Sequence, residues 1–163
     1  SDVGGVALGL SDRAAVAEAC RRIEANVRAS APEVALDGFL IQRQARGALE
    51  LALGVKVDPV FGPVVLVGSG GVLIEVLRDF RLLLPPIDAV AAEEALRGLR
   101  ISPLWDGVRG GAPLDLPAAV ELLQRLGDAA RSLGAVVSEI DLNPVLVGRR
   151  GEGVTILDAL VRR

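Results

Sequence analysis

Asp141, Asn143 and Asp158 are the residues whose types and spacing point most directly to chemistry. Asp141 and Asn143 are two apart, so in a strand they share one face. Pro144 biases the residue before it towards extended backbone, which predicts that the alternation runs unbroken through Asn143. Two apolar runs flank the turn Gly148 to Gly153, and the simplest pairing sets Val147 against Val154. That register puts Asn143 opposite Asp158 and gathers three oxygen-bearing side chains on one face. Hard oxygen donors in this arrangement suit Mg²⁺, which takes one or two carboxylates and leaves positions for substrate phosphates. The blander expectation is polar residues facing water at a sheet edge.

A second feature is Gly68-Ser69-Gly70-Gly71, which follows a nearly all-apolar run. Glycine-rich loops can present backbone N–H groups to phosphate. They also serve as plain turns, and no lysine follows as a phosphate-binding P-loop requires. Pairing Val57 with Pro63 brings Glu50 opposite Gly70, which sets a carboxylate beside the loop. Glu75, Asp79 and Arg109 are weaker candidates. Arg109 could reach an anionic ligand, but the expected reading is a solvated loop arginine. Arg149-Arg150 reads as a solubilising hairpin tip. Lys56 is the one lysine among 18 basic side chains, which makes the need for an amine easy to test. No residue of this chain is assigned a covalent catalytic role.

Composition excludes more than it assigns. The chain has 163 residues, 51% of them hydrophobic and 2% aromatic, with no His, Met or Tyr. Without histidine it can supply no imidazole base, no His zinc site and no phosphohistidine. The core is expected to be aliphatic, with the three Phe and Trp105 added. A net charge of -3 argues against nucleic-acid binding. Cys20 is alone, so no internal disulfide forms. No apolar run reaches the ~18 residues of a membrane span and no signal peptide is visible, so a cytoplasmic protein is expected. The missing initiator Met suggests a piece of a longer chain.

These residues need elements to position them. Ser1 to Leu10 reads as a loop and a short strand. Ser11 is the expected N-cap of a helix to about Ala29, with Asp12 in its first turn and Val16, Ala19, Cys20, Ile23 and Val27 on its buried face. Pro32 ends it. Gly38 to Gln42 and Leu49 to Val57 read as strands, the latter with Leu51, Leu53, Val55 and Val57 on one face and Glu50, Ala52, Gly54 and Lys56 on the other. Asp58 to Gly62 is a turn, Val64 to Val67 a buried strand, and Val72 to Phe80 another strand. Asp88 caps a helix from Ala89 to about Leu99. Asp115 caps a longer one, with Pro117 in its first turn and Gly134 as a C′ glycine. Trp105 to Gly111 is a loop. Ala135 to Val147 and Val154 to Leu160 form the final hairpin. The mixture predicts an α+β fold with a mixed or antiparallel sheet and flanking helices.

Several segments together resemble a known family. SDVGGV (1–6), GFLIQ (38–42), ELALGVKVDPVFGPVVLVGSGGVLIEVLRD (50–79), PLWDGVRG (103–110), EIDLNPVLV (139–147) and LDA (157–159) are similar to the ATP-grasp domain of ADP-forming acyl-CoA synthetases, a family including acetyl-CoA, succinyl-CoA and feruloyl-CoA enzymes. The resemblance spans essentially the whole chain. It implies that residues 1–163 are one partial ATP-grasp domain, its C-terminal portion. Backbone groups around Leu40 and Ile41 would hold adenine; Glu50, Gly70 and Gly71 would shape the phosphate side. Asn143 and Asp158 match the family's Mg²⁺ positions, with Asp141 beside them from the hairpin reading. The implied cofactors are ATP and Mg²⁺. The implied reaction makes acyl-CoA, ADP and phosphate from acid, CoA and ATP, through an acyl phosphate and a phosphohistidine. The family's upstream nucleotide lobe, with its His-Lys segment and phosphate-binding lysine, has no match here. The CoA-binding and phosphohistidine domains have none either. They are the expected partners within an oligomeric full-length protein, and the fragment alone is expected to bind ATP weakly and to be inactive. The alternative is a non-catalytic nucleotide-sensing or regulatory module fused to an acyltransferase. Neither nucleic acid nor membrane is an expected partner.

Overall fold

The structure is a computed structural model that describes residues 4–70, 79–108, 110–134 and 136–163. The chain divides into two compact units, 1–44 and 45–163. The first is built around helix α1, Arg13–Ser30. Its N-cap is Asp12 rather than Ser11: Asp12 Oδ1 accepts the Ala15 N–H at 2.8 Å. A carboxylate at this position meets both a free N–H and the positive end of the helix. Ala19 and Val27 are buried and Cys20 is half-buried.

No strand forms at residues 4–10 or at Gly38 to Gln42. Extended backbone becomes a strand only when a ladder satisfies its N–H and C=O groups. Among the described residues of this unit, no second strand offers one. Leu40 and Ile41 are accordingly 84% and 66% exposed. Local ties substitute for a ladder: the Gly9 N–H donates to Gln44 Oε1 at 2.7 Å, and Asn26 Nδ2 donates to the Gly4 carbonyl at 3.3 Å.

The second unit holds an antiparallel sheet of β1 (Leu49–Asp58), β2 (Gly62–Ser69), β3 (Phe80–Leu83), β4 (Glu139–Val147), β5 (Val154–Ile156) and β6 (Ala159–Arg162). The order is β3-β2-β1-β4-β5, with β6 also paired to β4. Alternation along β1 buries Leu51, Leu53 and Val55. Helix α2 (Ala89–Arg97) and helix α3 (Leu116–Leu133) join that face, where Ala92, Leu96, Leu123 and Leu126 complete the core. Trp105 lies in this core at 1% exposure, its indole N–H donating to the Leu96 carbonyl at 3.2 Å. Phe39, Phe61 and Phe80 do not join it; all three are exposed. They sit in a segment without a ladder, at a hairpin tip and on the far face of the edge strand β3.

Boundaries shift in small ways from the sequence expectation. The first strand of the terminal hairpin, β4, begins at Glu139, later than expected, and the return strand splits into β5 and β6 around Leu157-Asp158. Helix α2 stops at Arg97 because Gly98 caps it. Gly134 stays in the right-handed region at φ -58, so it is no left-handed C′ glycine. Its hydrogen is needed for space instead, since a Cβ would lie 2.9 Å from the Ala130 carbonyl. The strand expected from Val72 lies, up to residue 78, outside the described residues, as do Gly71, Glu75 and Arg109.

Candidate functional site

The terminal hairpin pairs as its residues predict, Val147 against Val154 and Val145 against Ile156. Beyond the break, Leu142 pairs with Ala159 and Asp141 with Leu160. The same register holds on both sides, so Asn143 falls opposite Asp158. Ile140 and Leu142 are buried while Asp141 is exposed and Asn143 half-exposed. The alternation thus places Asp141 and Asn143 on the sheet face turned away from α2 and α3. Asp158 is exposed, with Oδ1 accepting the Ala159 N–H at 2.9 Å.

The alternation runs through Asn143 and breaks at Pro144. Against β1, Val145 faces Leu51 and Leu142 faces Leu53, so Asn143 and Pro144 together span the single residue Ala52. This is a β-bulge, and it moves the buried positions from Ile140 and Leu142 to Val145 and Val147. Bulges recur where a side chain must be re-aimed beside a site.

Glu50 lies on the same face. Val57 pairs with Pro63, and the ladder runs on until the Gly70 N–H donates to the Glu50 carbonyl at 2.8 Å. Gly70 therefore stands beside Glu50, but its N–H is spent in the ladder and does not await a phosphate. Its small size has a local cause: a Cβ would lie 2.7 Å from the Leu51 carbonyl carbon. Ser69 is fully buried, and its hydroxyl has no hydrogen-bond partner among the described residues. Asp79 is buried and structural, with Oδ2 accepting the Arg100 N–H and Arg81 3.6 Å from Oδ1. Leu40 and Ile41 belong to the first unit and are exposed there.

The oxygens of Asp141, Asn143 and Asp158 fit a hard divalent cation by donor type, with no competing nitrogen or sulfur ligand. Among the described residues no group of three or more His, Cys, Asp or Glu side chains gathers to hold a metal. Two carboxylates and an amide are a sparse set, as Mg²⁺ sites that share their ion with phosphates are. A cleft of about 400 Å³ between α2 and α3 is lined in part by Glu93, Arg97 and Asp106. Those three already pair with one another, at 2.7 and 3.4 Å.

Sequence reasoning missed Asp115 as more than a cap. Its Oδ1 accepts the Ala118 N–H at the start of α3, and its Oδ2 accepts the N–H groups of Gly151 and Gly153 at 2.9 and 2.8 Å. One buried carboxylate thereby fastens the turn of the hairpin that carries the three oxygens. The helix-capping signal was visible in sequence; the second set of partners, 36 and 38 residues away, was not.

The second unit is thus an antiparallel sheet covered by helices on one face, an α+β architecture. Residues 1–162 match the model of the ATP-grasp domain family, and the chain belongs to that family. It is 43% identical over 161 residues to a trans-feruloyl-CoA synthase from an unknown prokaryotic organism, covering 99% of this chain and 23% of that protein. It is 31% identical to the beta subunit of acetate–CoA ligase [ADP-forming] II of Pyrococcus furiosus, covering 99% of this chain and 68% of the subunit. A solved structure of the Ca. Korarchaeum cryptofilum dinucleotide forming acetyl-coenzyme A synthetase 1 superposes with a TM-score of 0.79 at 32% identity, covering 99% of this chain and 68% of that one. That protein was in complex with coenzyme A and Mg-AMPPCP, its phosphohistidine segment pointing towards the nucleotide-binding site. The chain spans under a quarter of the length of the feruloyl-CoA synthase.

Proposed function

We propose that this chain is the nucleotide-holding ATP-grasp portion of an ADP-forming acyl-CoA synthetase, working within a longer protein that joins a carboxylic acid to CoA at the expense of ATP. The observation that carries this reading is the hairpin register setting Asn143 opposite Asp158 with Asp141 on the adjoining rung. Similarity to ADP-forming ligases supports it, as does a Mg-nucleotide analogue bound in a structural relative.

In this reading Asp141, Asn143 and Asp158 hold Mg²⁺ on the nucleotide phosphates. When bound, the ion neutralises charge that spreads over the phosphoryl oxygens during transfer. Glu50 lines the same face, and Gly70 keeps that wall close-packed. Leu40 and Ile41 offer backbone groups to adenine. This chain has no histidine. The phosphorylated imidazole therefore belongs to another domain, and we propose that the CoA site does too, within a cytoplasmic, oligomeric protein.

The test is Mg-ATP-dependent acyl-CoA formation by the full-length protein carrying Asp158→Ala or Asn143→Ala. Each is expected to lower turnover by more than about tenfold, the scale seen on disturbing a metal's surroundings. Near-normal turnover in both variants removes the metal assignment.

A further inference from the structure

We infer that Lys56 binds a phosphoryl oxygen of the nucleotide, as a second positive centre beside the Asp141, Asn143 and Asp158 oxygens; this rests on the metal-nucleotide reading above. Lys56 pairs with Glu139 across β1 and β4, and Gly54 pairs with Asp141 on the next rung. All four lie on the face turned away from the helices. Lys56 and Asp141 are therefore diagonal neighbours, a separation of roughly 7–8 Å that a long side chain bridges. Gly54 leaves the floor between them bare.

The carboxylate directly opposite does not neutralise Lys56. Glu139 Oε2 is held by Arg162 at 3.0 Å instead. Among the described residues, the Lys56 ammonium makes no ion pair and no hydrogen bond, and Lys56 is exposed. The commonest bland reason for a lysine in a strand is protection of a sheet edge. That reason fails here, because β1 is the central strand, flanked by β2 and β4. An ammonium in mid-sheet with no ion pair among the described residues, one rung from the Asp141 carboxylate, suits an anion that arrives with its own cation. Its three donors need no fixed approach angle, as a phosphoryl group in motion requires.

The experiment uses the full-length protein. Calorimetry should show Lys56→Gln weakening Mg-ATP binding by roughly ten- to a hundredfold, the range for one charge-assisted hydrogen bond. AMP binding should stay within about twofold of wild type, and Lys56→Arg should recover part of the loss. In the unaltered protein, saturating Mg-ATP should slow acetylation of Lys56 by an N-hydroxysuccinimide acetate ester, followed by peptide mass spectrometry, while AMP should not. Wild-type Mg-ATP affinity in Lys56→Gln overturns the inference. So does an acetylation rate indifferent to Mg-ATP in protein that binds it, a readout that does not depend on any variant folding. Failure of the unaltered protein to bind Mg-ATP overturns the metal-nucleotide reading as well, which separates the two.

Discussion

At the scale of single residues, Asp58 sets the bend between β1 and β2. Its Oδ1 accepts the N–H groups of Phe61 and Val60 at 2.9 and 2.8 Å, and these bonds hold its carboxyl below the ordinary carboxylate range. A depressed folded value means that the ionised form stabilises the fold. The contribution is present above the unfolded value of about 3.9 and is lost as pH falls through the folded one. Asp58→Ala is therefore expected to lower the urea midpoint at pH 7, and the gap to the unaltered protein should close below about pH 4. A gap of equal size at pH 7 and pH 3 would contradict this account. The Asp58 turn is legible in sequence because its bonds span two and three residues. The fate of Phe61 in the same turn is not, because nothing local says whether another element will cover a hairpin tip.

At the scale of elements, the hairpin β4–β5 and the helix α3 are one mechanical piece. The Asp115 N–H donates to the Gly148 carbonyl, while its carboxylate takes Ala118 on one side and Gly151 and Gly153 on the other. Asp115→Ala removes a helix cap and leaves two turn N–H groups without their partner. The expected loss is on the order of 2–4 kcal/mol, summing a cap and unsatisfied donors. Chemical denaturation measures it, and a loss under about 0.5 kcal/mol would show that water replaces the carboxylate freely. The bulge at Asn143-Pro144 belongs to this scale too. In sequence, the Asn143-Pro144 step reads as extended backbone with the alternation unbroken. That the step inserts one residue against β1 depends on how β1 pairs, which the sequence of β4 alone does not contain.

At the scale of the whole molecule, the second unit packs α2 and α3 against one face of its sheet, and the other face carries Asp141 and Asn143 together with apolar side chains such as Phe80 and Leu82. Among the described residues no helix is long and apolar enough to cross a membrane. A ligand that binds only the folded state raises stability by mass action. With Mg-ATP at a hundred times its dissociation constant, the full-length protein should gain about 2.7 kcal/mol and melt at higher temperature. ATP with excess chelator should give much less, and so should Mg-ATP added to Asp158→Ala. An equal shift with and without Mg²⁺ would mean that the nucleotide binds without the three oxygens.

By itself the sequence determined what depends on neighbours in the chain. That covers the helix caps at Asp88 and Asp115, the alternation of β1, the hairpin register from Val147 and Val154, and the family motifs. Each rests on backbone geometry and bonds spanning a few residues, or on a turn that ties two strands together. Tertiary structure alone decided which extended segments find a ladder, so Gly38 to Gln42 remains unpaired. It also decided which aromatic side chains are covered, so Trp105 is core and three Phe are not. The partners of Asp115, and the pairing of Glu139 with Arg162 rather than with Lys56, were settled at the same level. Those outcomes depend on contacts between distant residues, and no local preference carries that information.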